Sequence, residues 1–357
     1  MTLNKTLKAF LTVIISISII AGLIMCDTSF SSYAADKNVV IVLDPGHGGI
    51  GENNLGAQYN GLSEKDLTLR LAFLVKDKLD KYDNVTVLMT RDTDQMMSLS
   101  QRAVFAKEHG ADFLFSIHFN ASLEHLFYGS EVWTSIQNNY YQPGATVGQL
   151  VTAEWNSLGL YQKGVKTRVG KTGADYYGII RESVARGIPC VILEHAYLDN
   201  DVDVSLLKTA SFLDQIATAD ATAIAKYFHL KSTVTGVDYS GFQYSNAKRP
   251  SGNLYQDESG PEVCNINVLA TDRSSGNILV ELTTKDAYSP VIYFSYSYDG
   301  GKTFSPLQMW DRTKNTQSFN VKVPSGTANP TIVVRSYNNY EKGSESNAIT
   351  VNETFNY

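Results

Sequence analysis

Cysteine is nearly absent, with three residues in 357, at positions 26, 190 and 264. So few, so far apart, exclude a disulfide framework and leave packing to hold the fold. Charge is also sparse: 18% of residues are charged, and 30 Lys and Arg face 36 Asp and Glu, for a formal net charge of −6. The clustered cations of a nucleic-acid surface are therefore missing, and nucleic acid is excluded as a partner. A low charge with 43% hydrophobic residues also excludes a disordered chain. Apolar runs long enough to cross a membrane are missing beyond residue 25. What is present is enough apolar sequence for two domains and an excess of tyrosine, 21 residues.

Lys5 and Lys8 precede an apolar stretch from Ala9 to Met25, and small residues Ser32 and Ala34 follow. This order predicts a secretory signal peptide over residues 1–34, cut after Ala34. A lipidated Cys26 and an uncleaved anchor are the alternatives, although Met25 is larger than a lipoprotein signal prefers before its cysteine. The expected product is exported, with no membrane span after cleavage. Cys190 and Cys264 then remain as buried free thiols in separate domains.

Between residues 38 and 230, short apolar runs alternate with helical patterns. Val39–Leu43, Val85–Met89, Phe113–Ile117 and Cys190–Leu193 are continuous, as in strands buried on both faces. Ser63-Glu64-Lys65-Asp66 predicts a capping box, after which Leu67, Leu71, Leu74 and Val75 share a helical face. Ser98–Glu108, Gly144–Leu158 and Ser211–Phe228 also predict helices. The pattern implies an α/β fold with a largely parallel sheet flanked by helices. Residues 231–259 lack periodicity and predict a linker or an irregular extension packed on one domain. Over residues 260–353 the pattern becomes alternating, as in Ile292, Phe294, Tyr296 and Tyr298 before the turn signal Asp299-Gly300-Gly301. Short alternating strands in fewer than 100 residues predict an all-β sandwich of immunoglobulin or fibronectin III kind.

The chemistry-bearing residues end the buried runs. The first run leads into His47, the second-last into His118 and the last into Glu194, and Glu64 opens a helix. Ligands in open α/β sheets bind beyond the carboxyl ends of strands, so parallel neighbours would bring these residues together. Two His and one carboxylate leave one position of a tetrahedral Zn²⁺ open, and a further unligated carboxylate can take a proton from water there. Each residue also has a plainer reading. Glu64 can serve the helix dipole, His118 can be a core histidine, and Glu194 can pair with Arg181 or Arg186.

Four segments, in order, resemble one family. They are Asp44–Gly49, Asn60–Leu67, Ser116–Ala121 and Ile192–Asn200. The family is the zinc-dependent N-acetylmuramoyl-L-alanine amidases of type 3, and the likeness covers about residues 38–230. The resemblance implies that His47, Glu64 and His118 bind zinc and that Glu194 is the catalytic carboxylate. It implies a mixed sheet of about six strands, and peptidoglycan as substrate, cut at the amide between N-acetylmuramic acid and L-Ala. A non-catalytic wall-binding protein on this scaffold and a zinc peptidase acting on other peptidoglycan amides are the rival functions.

Asn120 and Tyr177 are candidate substrate contacts. His195-Ala196-Tyr197 departs from the family pattern after the catalytic carboxylate. Strand alternation predicts that His195 points away from Glu194. His109, His125 and His229 are expected at surface or structural positions. The interval between Ser130–Thr134 and Gly173 leaves no room for a helix blocking the zinc site, so an open cleft is expected. The sandwich domain is expected to act as a spacer or to contact the wall or another protein.

Overall fold

Runs rich in Val, Ile, Leu and Phe become strands because both of their faces are covered. They are β1 (Val39–Pro45), β4 (Val85–Met89), β5 (Phe113–Asn120) and β8 (Cys190–Tyr197), joined by β6 (Ser130–Thr134) and β7 (Gln162–Lys166). A small hairpin, β2 (Gln58–Tyr59) and β3 (Leu62–Ser63), precedes the first helix. This computed structural model describes residues 37–51, 54–251 and 256–357. The expected signal segment lies outside the described residues. The six-stranded sheet has the order β4-β1-β5-β8-β6-β7. Strands β4, β1, β5 and β8 run parallel, β6 runs antiparallel to β8, and β7 is parallel to β6. The expected mixed, largely parallel sheet is present.

Helices α1 (Glu64–Leu79), α3 (Asn138–Ser157) and α6 (Phe212–Tyr227) cover one face. Leu71 and Val75 are buried there, and Leu67 and Leu74 pack at the margin. Helices α2 (Leu99–Glu108) and α4 (Gly178–Val184) cover the other face over Val42, Leu114, Cys190 and Ile192, and a short α5 (Asp201–Leu207) follows β8.

Two local expectations need correction. Ser63 makes no side-chain cap. It belongs to β3, where its Oγ accepts a hydrogen bond from Gln58 Nε2 at 3.2 Å. The reciprocal capping box instead opens α2, between Ser98 and Gln101. Helix α3 starts six residues before Gly144 and runs through Pro143, because losing one backbone donor does not outweigh the packing of its buried face on α6 and the sheet.

The C-terminal strands pair antiparallel and form two larger sheets, besides a two-stranded pair of β14 (Thr327–Ala328) and β18 (Thr354–Phe355). One contains β9 (Val263–Asp272), β10 (Asn277–Lys285) and β13 (Thr316–Lys322). The other contains β11 (Val291–Ser297), β12 (Gln308–Met309), β15 (Thr331–Asn338), β16 (Gly343–Glu345) and β17 (Ile349–Thr350). Ile266, Val280, Leu282, Phe294, Val321 and Val334 fill the core between them. The alternation expected along β11 fails at Ile292. A bulge between Val291 and Tyr293 puts Ile292 and Tyr293 in a separate cluster with Phe127, Tyr128 and Tyr197 of the first domain. Both faces of β11 are therefore covered. Asp299-Gly300-Gly301 does not close a tight hairpin either. It lies in a longer loop to β12, held by the Asp299 carboxylate, which accepts from Ser297 Oγ and the amides of Lys302 and Thr303. Between the domains, Tyr239 and Tyr244 pack on the first core. Cys190 and Cys264 are buried and free, as expected. No helix among the described residues is long and apolar enough to cross a membrane.

Candidate active site

The turn after β1 is built by buried charge. Asp44 is fully buried and accepts from Arg102 Nη1 at 2.7 Å, Thr90 Oγ1 at 2.6 Å and Ser116 Oγ at 2.8 Å. Burial opposes its ionisation, but the Arg102 charge and these hydrogen bonds outweigh that and lower its pKa. Arg102 Nη2 also donates to His47 O at 2.6 Å, and Arg91 donates to the carbonyls of Pro45 and Gly46. These bonds hold His47 at φ 61°, a left-handed conformation costly for a residue with a side chain.

His47, Glu64 and His118 come together at the end of the sheet, as their places after β1, at the start of α1 and within β5 require. Glu64 Oε1 lies 3.2 Å from His47 Nε2 and 3.0 Å from His118 Nδ1. One candidate ligand atom from each residue lies within 4.8 Å of the others. Tetrahedral zinc with bonds of about 2.0–2.1 Å separates its ligand atoms by about 3.3 Å, so the two nitrogens and the carboxylate fit a metal ion. Glu64 is further oriented by the amides of Ala57 at 2.7 Å and Phe119 at 3.1 Å. Burial works against its ionised form, but hydrogen bonds and charge from His118 and His47 prevail and hold its pKa at about 2.

Glu194 is the Cα partner of His118 in the β5–β8 register, so both side chains rise on one face. Its Oε2 is buried without a hydrogen-bond partner. Arg181 and Arg186 bond elsewhere, to backbone carbonyls, Glu182 and Ser100. Burial first, then the carboxylates of Glu64 and Glu131, push the Glu194 pKa well above the usual range, against the pull of Lys163 and Lys166.

His195 points to the opposite face, as alternation predicts. Its ring nitrogens lie 2.9 Å from His118 O and 2.9 Å from Asp220 Oδ2 on α6, and the ring packs on Trp155. Among the remaining histidines, His125 bonds Asp199 at 2.8 Å and His109 bonds Phe105 O at 2.8 Å. Asn120 lies where two depressions meet, one over His47, Glu64 and His118 and one extending past Tyr177. Helix α3 packs on α6, β6 and β7, and none of its residues lines the depression over the histidines.

Comparison with known proteins identifies the family of the first domain. A family profile described as N-acetylmuramoyl-L-alanine amidase matches residues 41–226, more than half the chain. The chain belongs to this family. The N-acetylmuramoyl-L-alanine amidase CwlM of Bacillus licheniformis is 33% identical over 204 residues, which span 56% of this chain and 72% of that protein. The sporulation-specific N-acetylmuramoyl-L-alanine amidase of Bacillus subtilis is 33% identical over 197 residues, 55% of this chain and 70% of that one. Among solved structures, the catalytic domain of the amidase CwlV from Bacillus (Paenibacillus) polymyxa var. colistinus aligns with a TM-score of 0.47 and 27% identity, over 54% of this chain and 99% of that chain. The amidase activity and its peptidoglycan substrate follow from this membership.

Residues that the sequence did not single out surround the His47–Glu64–His118 cluster. Glu131 is the Cα partner of Glu194 across the β6–β8 pair. It accepts from Lys166 Nζ at 2.6 Å, Trp133 Nε1 at 3.0 Å and Asn120 Nδ2 at 3.2 Å. A glutamate inside the short buried run Ser130–Thr134 was the only signal for it. Arg91 carried none, because its targets are backbone carbonyls distant in sequence, and no local pattern marks Arg102 as the partner of the Asp44 carboxylate 58 residues away.

Proposed function

We propose that the chain is an exported zinc amidase in which Glu194 is the proton carrier. The observation that carries this is the orphaned, buried Glu194 Oε2 beside the His47–Glu64–His118 cluster. His47, Glu64 and His118 would hold zinc, which supplies Lewis acidity towards the scissile carbonyl and acidifies a water. Burial keeps Glu194 free of competing partners, so its oxygen is available to that water's proton. Glu194 then returns the proton to the departing amine of L-Ala. The bond cut is the amide between the lactyl group of N-acetylmuramic acid and L-Ala. Asn120, whose Nδ2 donates to Glu131, would contact the substrate with its second amide proton, and Tyr177 would offer a ring in the adjoining depression. The basic, apolar and small-residue order of residues 1–34 supports export.

The test is a digest of purified peptidoglycan by the full chain, with and without chelator, read by mass spectrometry. Intact glycan strands and stem peptides with a free L-Ala amine, lost on chelation and restored by Zn²⁺, are the expected products. Cuts within the stem peptide would make the chain a peptidase instead.

A further inference from the structure

The C-terminal domain is bolted to the strands that carry the active site. Lys163 and Lys166 on β7 are buried and reach in two directions at once. Towards the site, both pair with Glu131, at 3.0 and 2.6 Å. Towards the second domain, Lys163 bonds Glu341, and Lys166 Nζ donates to Asn339 O at 2.7 Å. Tyr340 OH donates to Thr167 O at 3.1 Å, and its ring meets Trp133 edge-on at 6.1 Å between centroids. The loop between β15 and β16 that supplies these residues is itself held by hydrogen bonds of Asn338. Asn338 Oδ1 accepts from the amides of Tyr340 and Lys342, and its Nδ2 donates to Asp257 and Asp286.

This loop closes one side of a cleft of about 540 Å³, within the usual size of ligand pockets of ~300–1,000 Å³. Glu194 and Asn120 stand at its inner end, where it meets the depression over His47, Glu64 and His118. Trp133 and Tyr177 line it from the first domain, and Tyr340 and Lys342 from the second. The scissile bond must lie at the junction, so the two parts of the substrate leave in different directions. A glycan strand continues at both ends and needs the shallower trough on the histidine side. The peptide arm is short and branched off the glycan, so it alone fits between two domains. Aromatic rings with polar groups at the rim suit a peptide, which presents alternating apolar and amide surface.

Resting on the amidase reading above, we propose that the loop Asn338–Lys342 is a specificity-determining element that holds the peptide arm beyond its first residue. The C-terminal domain is then part of the substrate site rather than a spacer.

The test uses the full chain and two soluble substrates, N-acetylmuramoyl-L-alanine amide and an N-acetylmuramoyl tetrapeptide. The readout is the ratio of kcat/KM for the longer to the shorter. The wild type is expected to prefer the longer, and Tyr340→Ala to lower the ratio about ten-fold. Tyr340 also ties the domains together, so Lys342→Ala, whose ammonium pairs with Glu258 at 2.9 Å, is measured beside it. A lower ratio in either variant supports the proposal. An unchanged ratio in both, including an equal loss on both substrates, overturns it. A wild type that cleaves both substrates equally overturns this proposal and leaves the amidase reading intact. A wild type that cleaves neither, and leaves peptidoglycan uncut, overturns both.

Discussion

Glu131 stands directly across from Glu194 in the antiparallel β6–β8 pair, and the same cross-strand row continues to His118 on β5. The two carboxylates have opposite environments. Burial opposes the ionised form of Glu131, but Lys163 and Lys166 outweigh it and hold its pKa at about 2. Glu194 has no such partner, and its pKa is pushed up. Neighbouring acids with divergent environments divide the work of a site, one structural and one free to move a proton.

Replacing Glu194 by Gln preserves shape and removes the proton acceptor. Turnover of peptidoglycan should fall by roughly 10²–10⁴-fold, the usual range for losing a general base. Bound zinc, measured by atomic emission, should be unchanged. Near wild-type turnover would remove Glu194 from the mechanism.

Gly46→Ala tests how closely the β1 turn grips the histidines. A Cβ at Gly46 would meet the His118 ring at 2.3–2.7 Å, and the ring must shift. Metal ligands displaced from their orientation typically lose about 10–100-fold in affinity. Competition against a chromophoric chelator should show this loss, and the stabilisation of the fold by added Zn²⁺ should shrink with it. Unaltered affinity would mean that His118 is not a ligand.

His195 and Asp220 form a buried pair on the sheet face opposite Glu194, both almost free of solvent contact. Removing His195 leaves one oxygen of the buried Asp220 carboxylate without its partner, while Trp155 Nε1 still donates to the other at 2.8 Å, and a buried group so orphaned typically costs about 1–3 kcal/mol. His195→Leu should therefore destabilise strongly in urea, and His195→Leu with Asp220→Leu by less than the sum of the single losses. Strict additivity would show that the two side chains do not interact.

Asp203 predicts a pH effect of definite sign. Burial raises its pKa to about 6, against the amides of Tyr197 and Gly129 that hydrogen-bond its carboxylate. A pKa raised in the folded state gives a stabilising contribution that is complete below the unfolded value of 3.8 and lost as pH rises through about 6. Asn keeps an acceptor for both amides and carries no charge. Asp203→Asn should be more stable than the wild type at pH 7.5, by at most about 3 kcal/mol, and so melt at a higher temperature, and the gain should fade towards pH 4. An equal difference in melting temperature at both pH values would exclude the charge as its cause.

The local sequence determined the parts that depend on short-range pattern. Continuous apolar runs specify strands with two covered faces, and His47, His118 and Glu194 follow or close those runs. Alternation alone places His195 on the face opposite Glu194, since successive side chains leave a strand on opposite sides. The order of the motifs carries the family.

Contacts between residues distant in sequence decided the rest. Ser63 carries the composition of a cap, yet the hairpin with Gln58 claims its side chain. The bulge at Val291 turns Ile292 out of the sandwich core, because the first domain offers that face another apolar surface. The grip of Arg91 and Arg102 on the β1 turn uses backbone carbonyls and, for Arg102, the Asp44 carboxylate 58 residues away, none of which a local pattern marks. The same holds for Lys163 and Lys166. Nothing in the sequence around them sets them apart, and only the docking of the second domain makes them buried links between Glu131 beside the active site and the loop Asn338–Lys342.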